Sequence, residues 1–337
     1  MQPNNRWIHL TAWYFLLSVL LASCSLQPLA LPPLIVSPTG QGPSVEYAGK
    51  GVAYGIQEAE GEKFWRVYQT PSGLSFRGRF RLLNQLPAQD YLLTCMLDYR
   101  QVPCVFGDQQ DILHRISLAE SEDRYTSFTI PILTPGFHDF ALLAIANPDV
   151  HDLDPGYRLN TDFNYLYAAR LVLLAGNQPW PTPAIEYAIT GTKPVRTTPP
   201  LNGLVVNREP PAGAWERAWL TQDAKPEETI EYYVRMGNDS GPSRSYAVFA
   251  FLDYTQIPLD GDDQWVAFVA LPAGTRASLP ARLVAPSEPG VHELMVVWAY
   301  DPYQMLEEPF EGSSRHLTEF LDYMESSIRV AITVSRP

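Results

Sequence analysis

The chain carries one series of motifs twice, about 155 residues apart, and this duplication constrains its fold more than any other feature. Phe80-Arg81-Leu82-Leu83-Asn84 answers Val234-Arg235-Met236-Gly237-Asn238. Leu97-Asp98-Tyr99-Arg100-Gln101-Val102-Pro103 answers Leu252-Asp253-Tyr254-Thr255-Gln256-Ile257-Pro258. Pro135-Gly136-Phe137-His138-Asp139 answers Pro289-Gly290-Val291-His292-Glu293, and Ala169-Arg170-Leu171-Val172 answers Ile328-Arg329-Val330-Ala331. Pro43 to Ala48 and Pro183 to Ala188 mark the two starts. The matches keep their order and spacing. A period this long means tandem domains, because the units of a solenoid are far shorter.

Within each copy the strand signals are short and frequent. Tyr91 to Leu97, Phe140 to Ala146, Leu171 to Leu174, Ala247 to Leu252 and Leu294 to Trp298 read as near-continuous apolar strands. Such strands suit the interior of a sandwich, although periodicity alone does not separate them from buried helix. Turns at Asn238 to Pro242, Asp260-Gly261 and Pro289-Gly290 intervene. Thirty-one Pro and 21 Gly, with few long helical patterns, point the same way. The expected fold is all-β, two tandem immunoglobulin-like β-sandwiches.

The amino terminus predicts where the chain goes. Arg6 precedes an apolar run from Trp7 to Ala22, and Leu21-Ala22-Ser23-Cys24 closes it. A basic start, a short apolar core and small residues at the cut make a secretory signal. The run is 16 residues with His9 and Thr11 inside it, whereas a membrane span needs about 20. Small residues ending on a Cys resemble the lipobox of bacterial lipoproteins. That resemblance implies cleavage before Cys24 and lipidation of its sulfur. Two or three acyl chains, at about 0.8 kcal/mol per buried methylene, anchor firmly where one does not. The expected location is the cell envelope, on the outer face of the plasma membrane or on the outer membrane.

The resulting domain plan is a signal peptide at 1–23, a lipidated Cys24 with a Pro-rich tether to 43, and a first sandwich at 44–176. A Pro-rich joint at 177–204 follows, with Ile185 to Ile189 as a candidate first strand of the second sandwich at 205–337. Cleavage takes Arg6 alone from the formal charge of −13, leaving −14. That acidity argues against nucleic acid as a partner.

Several features resemble the CARDB-type adhesion-related modules, a bacterial extracellular immunoglobulin-like family. They are the Asn–Gly turn at Asn238 and Gly241, the Leu-Asp-Tyr hairpin, the Leu271-Pro272-Ala273-Gly274 turn, and Pro-Gly before a long apolar strand. The resemblance covers roughly 230–335 and, more weakly, 76–176, where the Asn–Gly spacing and the Leu-Pro-Ala-Gly turn are missing. It implies fold and surface location, not a ligand.

Cys95 and Cys104 flank the first hairpin. If Tyr99-Arg100 is its two-residue turn, 95 faces 104 as a non-hydrogen-bonded pair, within disulfide reach. Export supplies an oxidising compartment, and copy 2 changes both positions together, to Ala250 and Leu259. The alternative is two buried free thiols. A zinc role lacks nearby His ligands.

No motif carries catalysis. His138 and His292 each precede an acid, but strand neighbours point to opposite faces, so edge-capping hydrogen bonds are the expected role. Asn238 to Pro242 consists of turn residues, and Gly73-Leu74-Ser75-Phe76-Arg77 departs from the nucleophile elbow. Acidic clusters at Asp149, Asp152 and Asp154, and at Asp260, Asp262 and Asp263, match no EF-hand and read as solvated turns. No metal or cofactor is expected. The suggestive feature is a long excursion before each copy's last strand, from Asn147 to Ala168 and from Asp301 to Ser326. Tyr157, Phe163, Tyr165, Tyr303, Phe310 and Tyr323 are its candidate ligand-binding residues, able to stack on a glycan or anchor an envelope protein. Alternatively, the excursions fold back over the sandwich, and Leu317, Phe320, Leu321 and Met324 have the spacing of a short packed helix. The expected function is a non-enzymatic binding or adhesion module; the alternative is a structural spacer or assembly subunit, with a hydrolase last.

Overall fold

The computed structural model describes residues 52–59, 67–159, 166–193, 200–208, 219–305 and 324–336. Cys24, Phe163, Tyr165, Phe310, Tyr323 and the Pro43 to Ala48 motif lie outside them.

Domain 1 comprises β1 (Val52–Glu58), β2 (Val67–Thr70), β3 (Ser75–Asn84), β4 (Gln89–Leu97), β5 (Arg100–Val102) and β6 (Cys104–Phe106). It continues with β7 (Gln109–Asp111), β8 (His114–Leu118), β9 (Glu122–Ile132), β10 (Gly136–Ala146), the single-turn helix α1 (Pro155–Arg158) and β11 (Leu166–Ala175). One sheet runs β1-β3-β9-β6-β7; the other runs β2-β11-β10-β4-β5, with β8 also on β4. Between them sits a core that includes Phe76, Phe80, Tyr91, Leu93, Phe128, Phe140, Leu142 and Leu171.

Domain 2 repeats the plan with β12 (Tyr187–Thr190), β13 (Asn202–Asn207), β14 (Thr221–Ala224), β15 (Thr229–Asn238), β16 (Arg244–Leu252) and β17 (Thr255–Ile257). Then come β18 (Ala267–Leu271), β19 (Thr275–Val284), β20 (Gly290–Tyr300), β21 (Met324–Ser326) and β22 (Val330–Val334). Its sheets run β13-β15-β19 and β12-β18-β16-β20-β22-β14, with β17 on β16 and β21 on β20. The joint contributes β12, which adds parallel to β18. Met324 lies in β21, while Leu317, Phe320 and Leu321, the rest of the expected short helix, lie outside the described residues. These are two immunoglobulin-like sandwiches, each with a hairpin-rich sheet facing a smaller one.

β3 and β15 alternate buried and more exposed residues along much of their length, as strands with one wet face do. β10 is buried at all 11 positions, β11 at nine of ten, β20 over its last eight residues, and β4 and β16 over six consecutive residues each. Strands read as continuous apolar runs when both faces are covered. The second face here is covered by the other domain. Leu92, Met96, Ala141, Leu143 and Ile145 pack against Phe249, Phe251, Met295, Val297 and Ala299 in one shared cluster.

The hairpin after β4 corrects the expected register. Its turn is Asp98-Tyr99, not Tyr99-Arg100: both residues have positive φ, 52° and 62°, and Leu97 pairs with Arg100. Asp253 and Tyr254 repeat this at 48° and 65°. Two positive φ values suit the right-handed strand twist that a two-residue hairpin must match. Cys95 therefore faces Val102, and Pro103, with no N–H to donate, ends the pairing. The chain crosses to β6 in the opposite sheet, and Cys95 and Cys104 are disulfide-bonded between sheets, Cα atoms 6.3 Å apart. Replacing the pair by the domain 2 residues, Cys95→Ala with Cys104→Leu, is expected to cost about 2–3 kcal/mol, the entropy of closing so short a loop. Urea unfolding with and without reductant checks this, since the double variant should no longer respond to reductant.

Candidate functional site

A set of hydrogen-bonded polar side chains lies in the seam between the domains, where the duplicated motifs meet. Gln101 and Gln256 hold corresponding places in β5 and β17. The Gln101 backbone N–H donates to Gln256 Oε1 at 2.8 Å, and the Gln256 N–H donates to Gln101 Oε1 at 2.8 Å. Gln101 Nε2 donates to the Tyr254 carbonyl at 2.9 Å, and Gln256 Nε2 to the Tyr99 carbonyl at 2.9 Å. Contacts in which i meets j and j meets i are the signature of a two-fold relation. The seam is thus built like a homodimer interface inside one chain.

The two arginines of the last-strand motif follow the same relation. Arg170 reaches across to the carbonyls of Tyr300 and Asp301, and Arg329 reaches back to those of Ala146 and Asn147. Within domain 1, Arg170 also grips Asp139, its Nε donating to Oδ1 at 2.6 Å, while Tyr99 donates its hydroxyl to Oδ2. All three are buried. Arg329 instead donates to the Tyr254 hydroxyl at 2.8 Å, which donates to the Pro148 carbonyl at 2.9 Å. Burial pushes that hydroxyl up to about 12, with Arg329 opposing, so it stays protonated.

The excursions cross this seam in both directions. Asp154 caps α1 by accepting the Tyr157 N–H at 3.0 Å, which turns Arg158 inward. Arg158 is fully buried and donates twice to Glu293 of domain 2, at 2.9 and 3.0 Å, and His151 Nδ1 lies 3.2 Å from the same carboxylate. Tyr157 is half-buried. From domain 2, the Tyr303 N–H donates to Asp139 Oδ2 at 3.3 Å, and its ring packs edge-on to Tyr99 and Phe137 of domain 1. Tyr303 is therefore an element of the seam. The structure brings Tyr303 to Asp139, Tyr99 and Phe137.

The two histidines cap hairpins. His138 Nδ1 lies 2.7 Å from Asp98 Oδ2 and its Nε2 lies 2.8 Å from the Thr134 carbonyl. His292 repeats this with Asp253 at 2.6 Å and the Glu288 carbonyl at 2.9 Å. Each aspartate also accepts the next backbone N–H, from Asp139 or Glu293. Both ring nitrogens face acceptors, an arrangement that suits imidazolium and leaves neither nitrogen to take a proton from a substrate. The bond to Asp98 holds His138 above the usual histidine range against the cost of burial. For His292 burial pulls downward, but Asp253 and the Glu288 carbonyl outweigh it and the net direction is also up. A raised folded pKa stabilises fully below the unfolded value, about 6.5, and that contribution is lost as pH rises through the folded value. Asp98→Asn with Asp253→Asn keeps the Oδ1 acceptors and removes the charges. The double variant is expected to show a smaller fall in melting temperature than the parent as pH rises from about 6 to about 8.5.

The acidic clusters are used locally. Asp149 pairs with Arg115, Asp152 accepts the Asp154 N–H, and Asp260 accepts the N–H groups of Asp262 and Gln264. Among the described residues no group of His, Cys, Asp and Glu is arranged to hold a metal. Gln101, Gln256, Arg170 and Arg329 lie in the duplicated motifs but match no binding or catalytic pattern. Their signal is that they are polar residues identical in both copies, the glutamines in the hairpin motif and the arginines in an apolar last strand.

No family model matches the chain, and no curated protein matches it. Among solved structures it is similar to red sea bream transglutaminase, at 13% identity over 85% of this chain, with a TM-score of 0.23. The chain spans 31% of that protein's length. It is also similar to the calcium-binding domain CBD12 of CALX1.1, at 9% identity over 80% of this chain and 97% of that one, again with a TM-score of 0.23. At such overlap neither neighbour informs function. The strand order defines the class: a tandem immunoglobulin-like β-sandwich protein, an architecture consistent with a non-enzymatic binding or structural module.

Proposed function

We propose that this chain is a non-enzymatic, lipid-anchored protein of the cell envelope whose paired sandwiches form a rigid binding or adhesion module. The observation that carries the binding reading is the reciprocal seam. It fixes the points from which residues 160–165 and 306–323 depart, through Arg158 on Glu293 and Tyr303 on Asp139. Those segments hold Phe163, Tyr165, Phe310 and Tyr323. Aromatic residues are frequent anchors at binding surfaces. The anchor reading rests on Leu21-Ala22-Ser23-Cys24, and the adhesion reading on the likeness to CARDB-type modules. The non-enzymatic reading is supported by the commitment of both histidine pairs and of Asp139 and Glu293 to internal partners.

A second reading, a structural spacer in an envelope assembly, is favoured by one observation: Arg158 and Tyr303, both from the excursions, are spent inside the molecule. In-cell crosslinking with mass spectrometry separates the two. A dominant protein or glycan captured by the parent, and lost in Phe310→Ala with Tyr323→Ala while folding survives, supports binding. No enrichment over a Cys24→Ser control favours the spacer. Loss of metabolic lipid labelling in Cys24→Ser tests the anchor separately, and undiminished labelling there would remove it. Tyr303→Ala is unsuitable for the binding test, because it opens the seam.

A further inference from the structure

The ends of the two domains where β3 and β15 begin share one backbone design and differ in chemistry. In domain 1 the Gly73 N–H donates to the Leu133 carbonyl at 3.2 Å and the Leu133 N–H to the Leu74 carbonyl at 3.3 Å. In domain 2 the Glu227 N–H donates to the Ala285 carbonyl at 3.1 Å and the Ala285 N–H to the Glu228 carbonyl at 2.8 Å. Ser75 then pairs with Ile132, and Thr229 with Val284. Leu74 and Glu228 therefore occupy the same backbone site. The domain 2 end is charged, with Lys225, Glu227, Glu228 and Glu288.

The domain 1 end is not. Residues 71–75, 131–136 and 176–181 carry no charged side chain in a chain of net charge −13. Leu74 is 54% exposed and Ile132 68% exposed, with Pro71, Pro131 and Pro135 exposed beside them in sequence; Val284, the counterpart of Ile132, is also exposed, so the contrast between the ends rests on Leu74 against Glu228 and on the missing charges. Glu228 demonstrates that the framework accepts a charge, so the fold does not require leucine there. The charges that follow along β3, on one face, are arginines: Arg77, Arg79 and Arg81, of which Arg77 is exposed. Arg81 is paired with Asp123, so Arg77 is the exposed cation nearest the two aliphatic side chains, a single charge placed to meet a lipid phosphate.

We infer that this end of domain 1 is a lipid-contact tip. Leu74 and Ile132 enter the boundary between headgroups and acyl chains, and Arg77 meets the phosphates. The inference rests on the lipid-anchor reading. β1 begins at the opposite end, where Val52 pairs with Asn84, about 30 Å from Ser75 at roughly 3.3 Å per residue. Residues 25–51 can span about 80 Å at 3.1 Å per residue, enough for tip and anchor to meet one bilayer.

The test uses the full lipid-anchored chain in phosphatidylethanolamine–phosphatidylglycerol vesicles, with an environment-sensitive fluorophore on Leu74→Cys and, as the internal control, on Glu228→Cys. The disulfide occupies Cys95 and Cys104, and the anchor occupies Cys24. The expected result is flotation with the vesicles, a blue shift at 74 but not at 228, and quenching at 74 by a lipid-borne quencher. Adding Ile132→Glu should abolish the shift without affecting flotation. A chain that floats while both labels report water overturns the tip and leaves the anchor standing. A blue shift at 74 without lipid quenching signals contact between protein molecules and also overturns it. A chain that does not float removes the anchor and the tip together.

Discussion

Arg170→Ala is expected to destabilise the protein by about 3–5 kcal/mol, the cost of leaving a buried carboxylate without its cation. Asp139 has almost no exposed side chain, and Arg170 has none. The remaining donors to Asp139, the Tyr99 hydroxyl and the Tyr303 N–H, are neutral. Removal of the guanidinium also strips the Tyr300 and Asp301 carbonyls of a donor, so part of the loss falls on the seam. The sign of a second change distinguishes this account from simple loss of side-chain volume. Asp139→Asn in the Arg170→Ala background removes the orphaned charge while keeping the shape, and should recover stability rather than lose more. Urea unfolding of the two single variants and the double variant completes the cycle. If Arg170→Ala costs under about 1 kcal/mol, the buried pair described here is not what holds this end of the seam.

The same pair shows why half of the architecture was legible in the sequence and half was not. The duplicated motifs define two domains, and the apolar runs locate β4, β10, β11, β16 and β20, each extended by a few residues. Those runs held more information than the sandwich reading used. A two-layer sandwich with wet outer faces predicts alternation. Leu142-Leu143-Ala144-Ile145 and Phe249-Ala250-Phe251 do not alternate, because successive residues face their own core and then the other domain. The continuous pattern is the seam's signature in the sequence.

The disulfide was found by a register that was one residue out. Tyr is a poor turn residue and obscures the turn, although Asp98, which tolerates positive φ, favours Asp98-Tyr99 over Tyr99-Arg100. Tyr99 accepts its positive φ because its hydroxyl is held by Asp139 and Arg170 and its ring lies against Phe268 and Tyr303. A slip of one residue flips every side chain to the other face. The two cysteines are bonded all the same, but across the sandwich rather than across the hairpin. Local pattern does not reveal this, since it depends on the chain crossing sheets at Pro103. The excursions were recognised by length alone. That Arg158 would meet Glu293, 135 residues away, follows from the two-fold relation of the domains and from nothing nearby in sequence.

Phe249→Ala is expected to cost about 3–5 kcal/mol and to change the form of unfolding as well as its midpoint. Phe249 is fully buried on the domain 2 side of the seam, edge-on to Phe251 and 6.3 Å from the Tyr99 ring. Its place in domain 1 is held by Thr94, whose hydroxyl serves the Ile112 carbonyl and Gln101. The phenyl ring thus fills space for which the two-fold mate has no equivalent, and Ala leaves a cavity that the opposing domain cannot close. Each sandwich keeps its own core, centred on Phe80 and Phe140 in one and on Val234 and Trp298 in the other. The lost energy therefore falls on the coupling between domains. The parent should unfold in one calorimetric transition and Phe249→Ala in two, the domains parting before either core melts. Val234→Ala, a core change of comparable type on the far side of domain 2, is the control. It should lower the midpoint while keeping a single transition. Two transitions in the parent would mean that the seam does not bind the sandwiches into one unit, and with it would go the fixed scaffold on which the binding reading depends.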